Sequence, residues 1–126
     1  MLKKKYILNK TFGPYSPIIQ VNNLFFISGQ IPIYHRTGVI PDNLYEQTSL
    51  ALNNIRVLLK KSNLHIRNIV KITIFTTKIN QLNEINLSYQ EFFNKYTLKY
   101  PARSCIGISA LPKKVDIEIE AIAAIL

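Results

Sequence analysis

Residues 69–77, IVKITIFTT, lie between two stretches with helical periodicity, and this placement decides the fold class. The stretch is rich in β-branched residues, which strands favour, so we predict a central strand. On its N-terminal side, side chains that recur every three or four residues mark one face of a helix. They are Leu44, Thr48, Ala51, Ile55 and Leu58. On its C-terminal side the same spacing predicts a second helix. Its stripe comprises Leu82, Ile85, Tyr89, Phe92 or Phe93, and Tyr96.

Both helices have recognisable ends. Asp42 or Asn43 is a suitable N-cap for the first helix, and the pair Lys60–Lys61 suits its C-terminus. Pro101 lies beyond the end of the second helix, as expected of a residue that cannot continue one.

Four further strands are predicted, at residues 18–21, 24–29, 102–109 and 115–125. Asn22–Asn23 is the turn between the first two, and residues 32–41 form a loop that contains two prolines. The order β-β-α-β-α-β-β predicts an α/β layer architecture, with both helices on one face of a single mixed sheet. The other sheet face keeps many apolar residues that a monomer seldom exposes, so we expect an oligomer.

The composition is that of one globular domain spanning residues 1–126. Hydrophobic residues make up 48% and charged residues 18%, and a chain of this length buries roughly two-thirds of its unfolded surface. No apolar run is long enough to cross a membrane. The apolar patch in MLKKKYILNK is too short for a secretory signal. The single cysteine cannot form an intrachain disulfide, so we expect a cytoplasmic protein.

The net charge of +9 has two interpretations. A basic surface can bind nucleic acid or another polyanion. Alternatively, the basic residues are scattered, solvated side chains that reflect a general bias toward Lys, Ile and Asn. We favour the second interpretation, because only four of the 16 basic residues are arginine. The sequence also lacks the aromatic motif typical of an RNA-binding sheet. Nucleic acid is therefore not the expected partner.

Arg103 stands on the strand predicted at residues 102–109, where successive side chains alternate between the two sheet faces. It shares one face with Cys105, while Ser104 and Ile106 point to the other. An arginine among apolar neighbours needs an anionic partner. That partner is either an acid of the following strand, in an internal salt bridge, or the carboxylate of a ligand. A planar guanidinium binds such a carboxylate in bidentate geometry.

The last strand carries three acids on one face. Asp116, Glu118 and Glu120 alternate with Val115, Ile117 and Ile119. Three like charges on one strand face repel one another, so they need cations or water. Either the face is solvated or paired with lysines, or one acid is a general acid or base whose pKa is raised by partial burial. The spacing does not fix the hairpin register, so it leaves open whether Arg103 and Glu118 share a pocket.

Two short motifs could line a cleft. GPYSP, residues 13–17, is a turn signature, in which Tyr15 is either an ordinary turn residue or a cleft residue that offers its hydroxyl. SGQIP, residues 28–32, ends a strand at Gly29, and a glycine there permits close backbone approach.

Cysteine and histidine give weaker signals. Cys105 could act as a nucleophile, but no histidine lies near it in the sequence. His35 and His65 are isolated and are interpreted as surface residues. The HxH, HExxH and CxxC spacings do not occur, so we expect no metal site. A glycine-rich phosphate loop is also missing from the sequence.

Taken together, these motifs resemble the RidA/YjgF/YER057c/UK114 family of enamine/imine deaminases. The matching stretches follow the family's order over nearly the whole chain. They are GPYSP, SGQIP, Gln47–Thr48 at the start of a helix, Asn86 with Tyr89 and Phe92–Phe93, YPARSC, and IEIEAIA. Each motif alone is weak, whereas PARSC followed by LPK and IEIEAIA is highly specific in combination.

The resemblance implies a chorismate-mutase-like fold, a mixed sheet with two helices on one face, assembled as a homotrimer with ligand clefts between neighbouring subunits. It implies hydrolysis of 2-iminobutanoate, 2-iminopropanoate or enamine tautomers such as 2-aminoacrylate to 2-keto acids and ammonia. These reactive compounds escape from pyridoxal-phosphate enzymes and damage others of that class. The resemblance implies neither a cofactor nor a metal for the reaction.

The resemblance also implies roles for individual residues. Arg103 would bind the substrate carboxylate, and Glu118 would position or activate the attacking water, whereas Glu120 would be structural. The other implied ligand-binding residues are Tyr15, Ser28, Gly29, Asn86 and Cys105. Holding the imine carbon beside an oriented water is a positioning effect of the kind that contributes much of a catalysed rate.

This sequence departs from the usual family pattern at Pro17, at Lys78 and in its basic charge. None of these departures touches the pair Arg103 and Glu118. Two other functions stay open. One is cleavage or binding of single-stranded RNA, reported for some family members, and the other is binding of a small metabolite without catalysis.

Overall fold

The computed structural model of the protein describes residues 3–7, 11 and 13–125. Their strands are β1 (Lys4–Ile7), β2 (Ile18–Val21), β3 (Leu24–Gln30), β4 (Ile69–Thr76), β5 (Ala102–Gly107) and β6 (Ile117–Ala124), and their α-helices are α1 (Leu44–Lys61) and α2 (Leu82–Asn94). All five predicted strands and both predicted helices are therefore confirmed.

Three boundaries differ from the sequence prediction by two residues, and the others by at most one. Strand β5 ends at Gly107, and β6 begins only at Ile117, because a 3-10 turn at Pro112–Lys114 occupies the connection. Helix α2 ends at Asn94, so Tyr96 lies beyond the helix although its spacing continues the apolar stripe. Strand β1 was not predicted from the sequence.

The strands form one mixed sheet in the order β1-β2-β3-β6-β4-β5. Strands β4 and β5 are parallel and are connected through α2, while every other neighbouring pair is antiparallel. β4 therefore separates β5, which carries Arg103, from β6, which carries Glu118. β5 is an edge strand of the described sheet.

Both helices cover the same face of this sheet, as predicted. On β4 and β6 every second side chain is fully buried, because it points toward the helices. These side chains, Ile72, Ile74, Ile117 and Ile119, share one apolar cluster with Ala51, Ile55, Ile85 and Phe93 of the helices. The predicted helix stripe and the strand alternation thus meet in a single core.

Helix α1 begins at a side-chain cap. The Oδ1 atom of Asn43 accepts a hydrogen bond of 2.8 Å from the backbone N–H of Glu46, so Asn43 rather than Asp42 is the N-cap. Lys60 and Lys61 stand in its last turn, where their charges oppose the partial negative charge of the helix end.

Gln47 ties α1 to both the preceding loop and the sheet. Its side chain is only 4% exposed. Its Nε2 donates to the carbonyl of Pro41 at 2.9 Å, and its Oε1 accepts from the backbone N–H of Asp116 at 2.9 Å. Asp116 directly precedes β6, so this amide fixes where the strand that carries Glu118 enters the sheet.

We expect Gln47→Leu to destabilise the protein by about 2–3 kcal/mol, because it leaves a buried carbonyl and a backbone N–H without partners. Urea unfolding followed by circular dichroism measures this change. Gln81→Leu is the matched control, since Gln81 is exposed, and it should change the free energy of unfolding by less than about 0.5 kcal/mol. A Gln47→Leu protein as stable as the control would show that these two hydrogen bonds do not stabilise the fold.

The face of the sheet opposite the helices is apolar and uncovered. Leu24, Phe26 and Ile106 point to it and are 42%, 44% and 44% exposed. Phe75 lies between β6 and β5 on the same face, in register with Ile106. This exposed apolar surface agrees with the expectation that the chain needs a partner subunit. Among the described residues, no helix combines the length and apolar character needed to cross a membrane.

Candidate active site

The predicted site residues fall into two groups, one on each face of the sheet. Arg103 pairs in register with Ile72, a buried residue of the helix-covered face. Glu118 pairs with Phe75, which points to the uncovered face. Side chains opposite each other in a ladder point to the same side, so within one chain the sheet lies between Arg103 and Glu118.

Arg103 is held by the second helix. Its Nη2 donates a hydrogen bond of 2.8 Å to Oδ1 of Asn86. Within residues 3–7, 11 and 13–125, Arg103 makes no ion pair. The acidic side chains of β6 point to the other face of the sheet. The internal salt bridge considered from the sequence is therefore wrong, and the guanidinium keeps donors for an external anion.

An open groove of ≈ 400 Å³ borders this guanidinium. It is lined by Asn86, Tyr89, Gln90, Tyr100, Pro101 and Arg103. None of these residues is acidic, so the electrostatics of the groove suit a small carboxylate. The sequence pattern assigned Tyr89 to the core and missed its place beside Arg103. The signal was its spacing of three residues from Asn86, which puts both on one helix face.

Cys105 lies on the same face as Arg103 and packs against the edge of the apolar core. Burial raises the pKa of its thiol above the ordinary value, and the positive charge of Arg103 offsets this only in part. The thiol therefore stays protonated at neutral pH, which is the wrong state for a nucleophile. Its side chain is better suited to lining a site than to attacking a substrate.

Glu118 occupies the second group, next to Gly29. A register shift in the β3–β6 ladder between Ile27 and Gln30 brings Gly29 against the carboxylate. A Cβ atom on Gly29 would lie 2.7 Å from Oε1 of Glu118, so any side chain here would displace the carboxylate. Burial raises the pKa of Glu118, and repulsion by Glu120 raises it further. A carboxyl group tuned in this direction can exchange protons closer to neutral pH.

We expect Gly29→Ala to displace the Glu118 carboxylate and, given the role that the resemblance implies for Glu118, to lower kcat by roughly tenfold or more. Thermal stability should change little, because the clash is with the far end of a flexible side chain. The measurement is kcat beside a melting curve. In a protein that already carries Glu118→Gln, Gly29→Ala should lower kcat almost no further. If the two changes lower kcat by independent factors, Gly29 does not act through Glu118.

The GPYSP turn packs against the same end of β3. Oγ of Ser28 donates to the carbonyl of Ser16 at 2.7 Å, and the backbone N–H of Ser28 donates to the carbonyl of Pro17 at 2.9 Å. Tyr15 is 48% exposed and lines a small cavity of ≈ 60 Å³ with Pro17 and Gly29. Asn54, Val57 and Leu58 of α1 form another wall of this cavity, so Tyr15 lies at the end of β3 that faces the helix. The unusual proline is tolerated here because its carbonyl, rather than an N–H, makes the contact.

Two other sequence features lie apart from both groups. Lys78 is exposed, and its backbone N–H donates to Oγ1 of Thr76 just beyond the end of β4. Within residues 3–7, 11 and 13–125, no group of three or more His, Cys, Asp or Glu side chains could hold a metal ion.

Comparison with known proteins places the chain in a family. The sequence model described as endoribonuclease L-PSP matches residues 8–125. A RutC family protein from Buchnera aphidicola subsp. Acyrthosiphon pisum is 45% identical over 114 residues, which cover 90% of this chain and 89% of the relative. A 2-iminobutanoate/2-iminopropanoate deaminase from Escherichia coli K12 is 38% identical over 111 residues, which cover 88% of this chain and 87% of the relative.

The fold is shared with solved structures. The crystal structure of E. coli TdcF with bound serine superposes with a TM-score of 0.92 at 36% identity and covers 97% of this chain and 100% of that chain. The resemblance inferred from the motifs is confirmed: the chain belongs to the endoribonuclease L-PSP family, that of the YjgF and RidA proteins.

Proposed function

We propose that the protein is an imine deaminase, which hydrolyses 2-imino acids or their enamine tautomers to 2-keto acids and ammonia. The observation that carries this proposal is the Arg103 guanidinium, which borders a groove without any anionic partner among the described residues. The relative named as a 2-iminobutanoate/2-iminopropanoate deaminase supports the substrate class. Such imines are released by pyridoxal-phosphate enzymes, and we expect these to share the cytoplasm with this protein.

Arg103 binds the substrate carboxylate and fixes C2 of the imine. Glu118 accepts a proton from a water molecule, whose oxygen then attacks the C=N carbon. The imine nitrogen takes this proton from Glu118, which gives a 2-amino-2-hydroxy acid. Glu118 then carries the proton of the new hydroxyl group to the nitrogen, and the C–N bond breaks to release ammonia and leave the keto group. Water and imine thus give keto acid and ammonia with no redox change. Tyr15, Ser28, Gly29, Asn86 and the backbone at Cys105 line the cleft around these groups.

The opposite orientation of Arg103 and Glu118 implies that one chain does not complete this site alone. A neighbouring subunit packed on the uncovered apolar face would bring its own site residues to the edge of the sheet formed by β5, where Arg103 lies. We propose a homotrimer, in which Arg103 and Asn86 of one subunit face Tyr15, Gly29 and Glu118 of the next. TdcF was crystallised with serine, a small amino acid with one carboxylate, which agrees with a cleft of this chemistry.

A competition assay tests the proposed activity. Threonine dehydratase generates 2-iminobutanoate, and semicarbazide traps the imine as it forms. The protein should speed keto-acid formation and suppress the trapped product in proportion to its concentration. The assay is repeated with imines formed from serine, from threonine and by oxidation of other amino acids. Activity on some of them shows a substrate preference rather than a lack of activity. No effect on any of them would contradict the proposal.

A second candidate, RNA binding or cleavage, is favoured by one specific observation. Arg56, Lys60 and Arg67 line a groove of ≈ 230 Å³ that has no acidic residue on its wall. A polyanion bound there should lose affinity steeply as salt rises. Single-stranded RNA titrated at two salt concentrations measures this, and absent or salt-independent binding excludes the candidate.

A further inference from the structure

Tyr89 has three properties that an ordinary core residue does not combine. It is 5% exposed, its ring lies under the cation of Arg103, and its hydroxyl has no hydrogen-bond partner among the described residues. Buried hydroxyl groups are normally satisfied, because leaving one unpaired destabilises the fold. The unpaired hydroxyl therefore costs stability, and it does not account for the contact between the ring and the guanidinium.

The ring, rather than the hydroxyl, is the part that reaches the site. Cζ of Arg103 lies 4.9 Å from the ring centroid, well inside the range in which an aromatic face attracts a guanidinium. The hydroxyl oxygen is shut off from solvent, so a ligand in the groove does not reach it. Burial also raises the pKa of Tyr89, so the phenol stays neutral and provides no charge for Arg103.

Tyr89 and Asn86 restrain the guanidinium from two directions. Asn86 accepts a hydrogen bond in the plane of the group, and the ring of Tyr89 supports its face. The two residues are one turn apart on α2, so a single rigid element sets both contacts. Phe93 packs against Tyr89 in a tilted arrangement, with ring centroids 4.5 Å apart, and restrains the Tyr89 ring in turn.

We infer that Tyr89 is a positioning residue, which orients Arg103 for the substrate carboxylate through the face of its ring. This inference rests on the proposed deaminase function. It assigns the hydroxyl no part in binding, so an unsubstituted ring should serve. An aliphatic side chain should not, because it offers Arg103 no π-face.

Two substitutions at one position test the inference. Tyr89→Leu should raise KM for 2-iminobutanoate roughly 3- to 30-fold with kcat nearly unchanged, the range that loss of a cation–π contact predicts. Tyr89→Phe should restore KM to within about twofold of the wild type and raise the melting temperature, because the unpaired hydroxyl is gone. Phe92→Leu is the structural control, since Phe92 is buried on α2; it should lower stability without raising KM.

Two outcomes overturn the inference. One is a Tyr89→Phe protein with the KM of Tyr89→Leu, which would assign the effect to the hydroxyl. The other is a Tyr89→Leu change that raises KM as much in an Arg103→Ala background as in the wild type, since a residue acting through Arg103 has no effect without it.

A readout without turnover separates this inference from the proposed function. Because Cζ of Arg103 lies 4.9 Å from the ring centroid, the ring should shift the Nε–H proton signal of Arg103 upfield in ¹⁵N–¹H spectra of the free protein. Tyr89→Leu should remove that shift and Tyr89→Phe should keep it. An Arg103 signal unchanged in Tyr89→Leu contradicts the inference even if the enzyme is active. A wild type without deaminase activity contradicts the proposed function and leaves the spectral result to decide the role of Tyr89.

Discussion

Arg103→Ala is expected to lower kcat/KM for 2-iminobutanoate by at least about 30-fold while the protein keeps its fold. A bidentate, charge-assisted contact with a carboxylate contributes roughly 2–4 kcal/mol, which corresponds to about 30- to 1,000-fold. The fold should persist because Arg103 is half-buried at an edge strand, and its side chain makes a single hydrogen bond to the described part of the chain, with Asn86. The semicarbazide competition assay and a melting curve measure the two properties separately.

Arg103→Lys and Arg36→Ala complete this experiment. The lysine variant keeps the charge but loses the planar fork, so it should recover only part of the activity. Arg36 is an exposed loop arginine away from β5, and its removal should leave kcat/KM within about twofold of the wild type. An Arg103→Ala protein as active as Arg36→Ala would refute the role of the guanidinium.

Glu118→Gln is expected to lower kcat by roughly 100-fold, the lower part of the range for loss of a general base. The same change should stabilise the protein at neutral pH. Burial and Glu120 raise the folded-state pKa of Glu118, so the folded protein holds this proton more tightly than the unfolded chain does. Ionised Glu118 therefore costs stability above its unfolded pKa, and the cost disappears as pH falls below that value.

Melting temperatures and kcat measured between pH 4 and pH 8 test both halves of this prediction. The stability gain of Glu118→Gln should be largest at neutral pH and vanish in acid. As the pH falls, wild-type activity should decline at a pH above the ordinary pKa of a glutamate side chain. Glu120→Gln removes the repulsion and should move that decline to lower pH with activity retained. Equal melting temperatures of wild type and Glu118→Gln across this pH range would show that the ionised carboxylate does not destabilise the folded protein.

The sequence predicted the helices and central strands because their determinants are local. Helical spacing in residues 44–58 and β-branched density in residues 69–77 each describe one element without reference to others. Strand β1 was missed because Lys4–Tyr6 show no alternation of apolar side chains. It becomes a strand through pairing with β2, and Tyr6 lies opposite Ile19 in that ladder. Tertiary pairing here overrides weak local propensity.

The site was predictable residue by residue but not in its geometry. Strand alternation placed Cys105 on the side of Arg103, and the structure agrees. The contact between Gly29 and Glu118 joins strands that are far apart in the chain, and no spacing rule connects such positions. The insertion of β4 between β5 and β6 likewise depends on sheet order, which local patterns do not encode.

The separation of Arg103 from Glu118 by the sheet makes one mixing experiment the most direct test of the account. Arg103→Ala and Glu118→Gln subunits, each inactive alone, are unfolded together, refolded and checked for mixed trimers by native mass spectrometry. If the two residues of a site come from different subunits, random assembly should restore about a quarter of wild-type activity, since both intact groups meet in one cleft in four. Mixed trimers as inactive as the parent variants would contradict a site shared between subunits.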